Sequence, residues 1–96
     1  MKSAIECSKL RWRLTDSSLQ PIRLPEAFYL ATVGGGSFFG NAGTFQKGFE
    51  FDAVVLDDSN LQTMRELSPS ERLERLVYFA DDRNITGKYV RGWKLY

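Results

Sequence analysis

The sequence has 96 residues, a net charge of +1, 43% hydrophobic and 14% aromatic residues, and no histidine. This length limits it to one domain or a piece of one, and the apolar content excludes a disordered chain. Near-neutral charge leaves no broad electrostatic footprint for nucleic acid or an acidic lipid surface, and no apolar run approaches the roughly 18 residues of a membrane span.

The expected elements follow in chain order. Residues 3–14 have helical spacing, with Ser3, Cys7, Leu10 and Leu14 on one stripe that is expected to face inward. "TDSSLQP" at 15–21 is a connection closed by Pro21. A second helix is expected over 25–39, opened by Pro25 and Glu26, with Ala27, Leu30 and Ala31 inward. Three glycines, Gly34 to Gly36, should weaken it and let it turn sharply into "SFF", with Gly40 or Gly43 stopping it in a left-handed conformation.

From residue 43 to 57 the period changes to two. A short strand at 44–46, a tight turn at Gly48 and a strand at 49–56 are expected, closed by Asp57-Asp58-Ser59-Asn60. Residues 69–80 form the clearest helix, with a Ser68/Glu71 capping box and Pro69 in its first turn. Its apolar stripe is Leu73, Leu76, Val77 and Ala80, and Glu71 with Arg75 has ion-pair spacing. Residues 88–96 read as a strand or hairpin centred on Arg91-Gly92. The expected class is α+β, with a small antiparallel or mixed sheet from 43–57 and 88–96. A helical segment over 1–40 would be followed by a sheet segment with one helix over 41–96.

No stretch assembles catalytic chemistry. The glycine run has neither phosphate-loop nor dinucleotide spacing and follows a helix rather than a strand. Ser37 misses the G-x-S-x-G elbow because Phe39 stands at the last glycine, and without histidine no serine triad of the usual kind can form. Asp57-Asp58 and Asp81-Asp82 are adjacent carboxylates that read as turn and cap residues. The second pair follows a helix end that disfavours negative charge, which Arg83 or a tertiary contact should offset. Cys7 is the single cysteine; it excludes an internal disulfide and is expected in the core. Arg11-Trp12-Arg13 and the Lys88–Lys94 stretch mix basic and aromatic residues, leaving weak single-stranded nucleic-acid binding as an alternative. The catalytic, cofactor-binding and metal-ligating sets are therefore all expected to be empty in this chain.

Four blocks in order, "SKLRWRLTD", "LPEAFYLATVGGGSFFG", "GTFQKGFEFDAVVLDD" and "ERLERLVYFADDRN…KYVRG", resemble the C-terminal portion of bacterial guanine deaminases, members of the metal-dependent amidohydrolase superfamily. Thr44 in place of serine and Asn41-Ala42 before Gly43 are mild departures. The resemblance implies a (β/α)8 barrel enzyme whose zinc-activated water converts guanine to xanthine and ammonia. Its metal ligands and acid–base groups would lie ahead of the part seen here. It further implies that this chain supplies the last barrel-flanking helices and the C-terminal half of a small β-sandwich. Cys7, Leu10 and Leu14 would then pack on the barrel, and strand 49–56 would show an open edge. The expectations are a cytoplasmic chain, inactive alone, with no cofactor, nucleic acid or membrane of its own. Its partner would be a second copy, as in a homodimer, or the missing N-terminal part of the amidohydrolase. A stand-alone self-associating module is the alternative.

Overall fold

The structure is a computed structural model that describes all residues from Met1 to Tyr96. Helix α1 (Lys2–Leu14) packs on α2 (Leu24–Tyr29). The contact is pinned by Ser8, whose Oγ donates to the Ile5 carbonyl and accepts from the Ile22 N–H, both at 2.9 Å. The α1 face turned inward carries Ile5, 3% exposed, with half-buried Ser8 and Trp12. This corrects the expected stripe: Ser3, Cys7, Leu10 and Leu14 are all exposed, Leu14 at 80%. At about 100° per residue the two stripes lie on opposite sides of the helix. Of the inward residues expected on α2, Ala27 is buried, while Leu30 and Ala31 are exposed.

The chain stays helical from Leu24 to Phe39, as expected in extent, but its interior differs from the expected break. After α2 comes one wide π turn, Leu30–Gly34, where the Thr32 hydroxyl donates back to the Phe28 carbonyl at 2.8 Å. Such back-bonding and π turns disturb the regular ladder locally without ending a helix. Gly35 and Gly36 keep right-handed helical angles (φ −67° and −62°), and a 3-10 turn, Ser37–Phe39, completes the run. The sharp turn expected at Gly34–Gly36 is absent. The glycines instead admit a close neighbour: a Cβ on Gly36 would lie 2.6 Å from the Ala42 carbonyl carbon. Gly43, at φ +98°, presses equally closely on the Thr32 carbonyl group.

Strand β1 (Ala53–Leu56) is shorter than the expected 49–56, and no strand forms at 44–46. The reason lies in the backbone: Glu50 N–H bonds back to the Asn41 carbonyl at 2.6 Å, and Asp52 N–H closes a three-residue turn on the Glu50 carbonyl at 3.1 Å. Residues 43–52 are thereby looped, with the Gly48 turn (φ +92°) kept. Strands β2 (Ile85–Val90) and β3 (Trp93–Lys94) complete an antiparallel sheet of order β1-β2-β3. Ala53 faces Tyr89, Val55 faces Gly87, and a bulge follows Val55. The Arg91-Gly92 turn is as expected; both residues take positive φ (50° and 79°), the geometry of a tight hairpin turn. With β2 central, β1 keeps one open edge, and Val54 and Val55 are 53% and 47% exposed.

Helix α3 (Pro69–Phe79) carries its capping box. Ser68 N–H donates to Glu71 at 2.8 Å, and Glu71 N–H to Ser68 Oγ at 3.3 Å. Leu73, Leu76, Val77 and Ala80 are half-buried. The expected Glu71–Arg75 pair is replaced by Glu71 with Arg65 at 2.7 Å, while Arg75 reaches the Gln62 carbonyl at 3.2 Å. The Glu71 carboxyl is drawn down from 4.5 to about 2, first by the Arg65 guanidinium and then by the Ser68 N–H. The folded chain thus favours the ionised form. Its stabilisation is complete above about pH 4.5 and fades as pH falls toward 2. Far-ultraviolet circular dichroism should show α3 helicity dropping across that window, and Glu71→Gln should flatten the drop; unchanged helicity down to pH 2 would contradict it.

Candidate functional site

The residues singled out in the sequence are each committed to structure. Ser37 Oγ donates to the Gly34 carbonyl at 2.7 Å and has no base beside it. Cys7 is exposed on the outer side of α1, correcting its expected place in the core. Asp57 accepts from the Ser59 N–H at 2.8 Å, and that bond holds its carboxyl below the ordinary range. Asp58 is clamped by both arms of Arg72 at 2.6 and 2.8 Å, which lowers the acid and raises the guanidinium.

The electrostatic conflict expected at Asp81-Asp82 is resolved by geometry. Helix α3 ends at Phe79, Ala80 is extended, and Asp81 instead caps a new 3-10 turn, Asp82–Asn84. Its carboxylate also pairs with Arg83 at 2.6 Å, which holds it below the usual carboxylate range. Of the two basic–aromatic stretches, Arg13 lies over the Trp12 ring at 5.3 Å, and Trp12 Nε1 donates to the Ser17 carbonyl at 3.1 Å. Lys88 and Lys94 lie on β2 and β3, where Lys94 stands opposite Tyr89.

A shallow cleft of about 390 Å³ opens between α3 and residues 58–67, lined by Asp58, Arg65, Arg72 and Arg75. It holds charge, and much of that charge is paired within the chain. Arg72 is held by Asp58 and Arg65 by Glu71. Arg75 Nε lacks a partner and is covered, so nothing in the cleft reaches it. No nucleophile with an adjacent base is present, and no three His, Cys, Asp or Glu side chains gather to hold a metal ion. Asp57, Asp58, Glu71 and Asp81 are engaged with backbone N–H groups or guanidinia, and the chain has no histidine. The donor set therefore does not fit the zinc that the family resemblance implies.

One constellation carries no signal in the local sequence. Asn84 is 3% exposed, and its Nδ2 donates to the Asp57 carbonyl and to Asn60 Oδ1, both at 2.7 Å. Its Oδ1 accepts from the Asp81 N–H at 3.0 Å. The residue ties the end of β1 to the turn before β2. It is a structural hub rather than a reactive group.

No protein-family model matches the chain. It is 30% identical over 102 residues to a guanine deaminase of Dictyostelium discoideum, covering 99% of this chain and 22% of the relative. The human guanine deaminase is 34% identical over 82 residues, covering 74% and 18%. Among solved structures, guanine deaminase from C. acetobutylicum, with guanine bound in its active site, superposes with a TM-score of 0.90. That match has 45% identity and covers 97% of this chain and 22% of the other. E. coli guanine deaminase gives a TM-score of 0.69 at 30% identity over 88% of this chain. The chain thus spans about a fifth of the length of these relatives.

Proposed function

We propose that this chain, a C-terminal guanine deaminase-type segment, is a structural part of such a deaminase and supplies none of its chemistry. One observation carries the reading. The chain exposes 7764 Å², whereas a self-contained monomer of its 11.0 kDa exposes about 5,600 Å². Only Ile5 and Ala27 make a fully buried apolar core. Its radius of gyration, 15.6 Å, also exceeds the roughly 12–13 Å of a compact domain of this length. Surface in that excess is the surface of an element that packs on something larger.

In this reading residues 1–40 flank a barrel and residues 41–96 form part of a small sandwich. The parent reaction is hydrolytic deamination of guanine to xanthine and ammonia, in the cytoplasm. The chain's own residues hold the frame: Ser8 ties α1 to the backbone of Ile22 just ahead of α2, the glycine contact seats the loop after Phe39, and Asn84 ties the sheet. The opposed stripes of α1 support a helix placed between two layers.

The test has two arms. The isolated chain, supplied with zinc, should release no ammonia from guanine above the uncatalysed rate. The C. acetobutylicum enzyme with its matching segment replaced by this chain should fold and deaminate guanine. Turnover by the isolated chain would refute its inertness, and a chimera that does not fold would refute the structural role.

A second reading, self-association, is favoured by the open apolar edge of β1, since such edges accept another strand. Sedimentation equilibrium separates it: a stable dimer supports it and a monomer refutes it.

A further inference from the structure

We infer that Phe38 and Phe39 form a preorganised plug that inserts into an apolar pocket on the larger part of a guanine deaminase-type fold; this rests on the structural role above. The two rings stand edge to face, centroids 5.1 Å apart, and are 86% and 81% exposed. Two bare phenylalanines side by side present several hundred Å² of apolar surface, the kind of patch that marks an interaction site.

The backbone beneath them is fixed before any partner arrives. Helical geometry runs through Gly35 and Gly36 into the 3-10 turn that carries both rings. The following loop is seated on that helix from two sides. Gly36 lies against Ala42, Gly43 lies against Thr32, and neither contact has room for a Cβ. Asn41 is tied onward by its carbonyl to the Glu50 N–H. A plug held this way loses little conformational freedom on docking, which is the usual source of affinity in preformed anchors.

The chemistry of the receptor follows from what surrounds the plug. No charged residue occurs between Glu26 and Lys47, in a chain that is 26% charged. Phe28, Tyr29, Leu30 and Phe45 in the same stretch are 40%, 57%, 55% and 76% exposed. Depletion of charge around exposed aromatics is the composition of an interface core. The absence of lysine and arginine there also lacks the basic rim that anionic lipid attracts.

The size of the exposed excess selects the occupant. It is roughly 2,100 Å², against about 800 Å² per partner in a standard two-protein interface. One second copy meeting one patch covers too little. A larger body that envelops several faces covers it, and the chain superposes over 97% of its length on a segment of a protein more than four times as long.

The experiment uses the full chain and the full-length C. acetobutylicum chimera. Phe38→Ser with Phe39→Ser should leave the circular dichroism of the isolated chain unchanged, because both rings are exposed there. The same pair in the chimera should lower its melting temperature by about 5 °C or more, since a buried anchor is lost. Phe38→Leu with Phe39→Leu, which keeps the plug apolar, should recover most of that shift. A folded chimera indifferent to the two serines overturns the plug alone. An unsubstituted chimera that fails to fold overturns the structural role and the plug with it. A dimer of the isolated chain, or its binding to phosphatidylcholine vesicles, that the two serines abolish would overturn the proposed occupant.

Discussion

Alanine at Gly43 should cost the chain substantially more than alanine at Gly40, although both glycines have nearly the same positive φ. The values are +98° and +96°, so each substitution forces an L side chain into a conformation it disfavours. That strain is about 1–3 kcal/mol in either case. The surroundings differ. Nothing lies within 4 Å of a Cβ at Gly40, whereas at Gly43 it would collide with the backbone of Thr32 and Val33. Backbone cannot swing aside as a side-chain tip can, so overpacking adds about 1–3 kcal/mol. Native-state amide exchange for residues in the loop and the π turn should therefore speed up by a further tenfold or more in Gly43→Ala over Gly40→Ala, at about 1.4 kcal/mol per decade. Equal effects at the two positions would mean that the close contact does not hold the loop.

The second large effect should come from Asn84. Alanine there leaves the Asp57 carbonyl, Asn60 Oδ1 and the Asp81 N–H without their partner. An unmatched group of this kind costs about 1–3 kcal/mol when water cannot replace the bond. Asp57, Asn60 and Asp81 are all exposed residues, so water recovers part of each lost bond and the expected loss is about 1–3 kcal/mol. It should appear first as lost protection of the Asp57 amide, which donates to the Asn84 carbonyl at 2.8 Å. Asn84→Asp discriminates further. It keeps an acceptor for Asp81 but turns an oxygen toward the two oxygens that Nδ2 now serves. Aspartate should be at least as damaging as alanine; a milder effect would contradict the donor role.

What could be read in advance was local. The Ser68-Pro69-Ser70-Glu71 run fixes the start of α3 through bonds three residues apart, and Arg91-Gly92 marks the hairpin by its positive φ angles, with Asp52 and Phe51 accepting from the two turn N–H groups. Within the chain the stripe of α1 that packs is not the one hydrophobicity picks out, Cys7, Leu10 and Leu14, but a set containing Ser8. Ser8 earns its place by a hydrogen bond to Ile22, fourteen residues away. The β1 boundary failed for the same kind of reason, since the Glu50 N–H is spent on Asn41 rather than on a neighbouring strand. Asn84 was invisible because its partners at 57 and 60 are distant in sequence, and a polar residue beside two aspartates reads as loop. The family could be read from blocks that keep their order along nearly the whole chain.

The thin interior sets the thermal behaviour of the chain on its own. Heat capacity rises on unfolding because apolar surface meets water, and a well-packed domain of this length gains about 1.2–1.4 kcal/mol/K. With 7764 Å² already exposed, this chain has about a fifth less surface to uncover on unfolding than such a domain. Its enthalpy of melting should be reduced in the same sense, and its transition on warming should be broader than that of a well-packed domain. On the proposed structural role, a sharp transition belongs to the larger fold rather than to this segment alone.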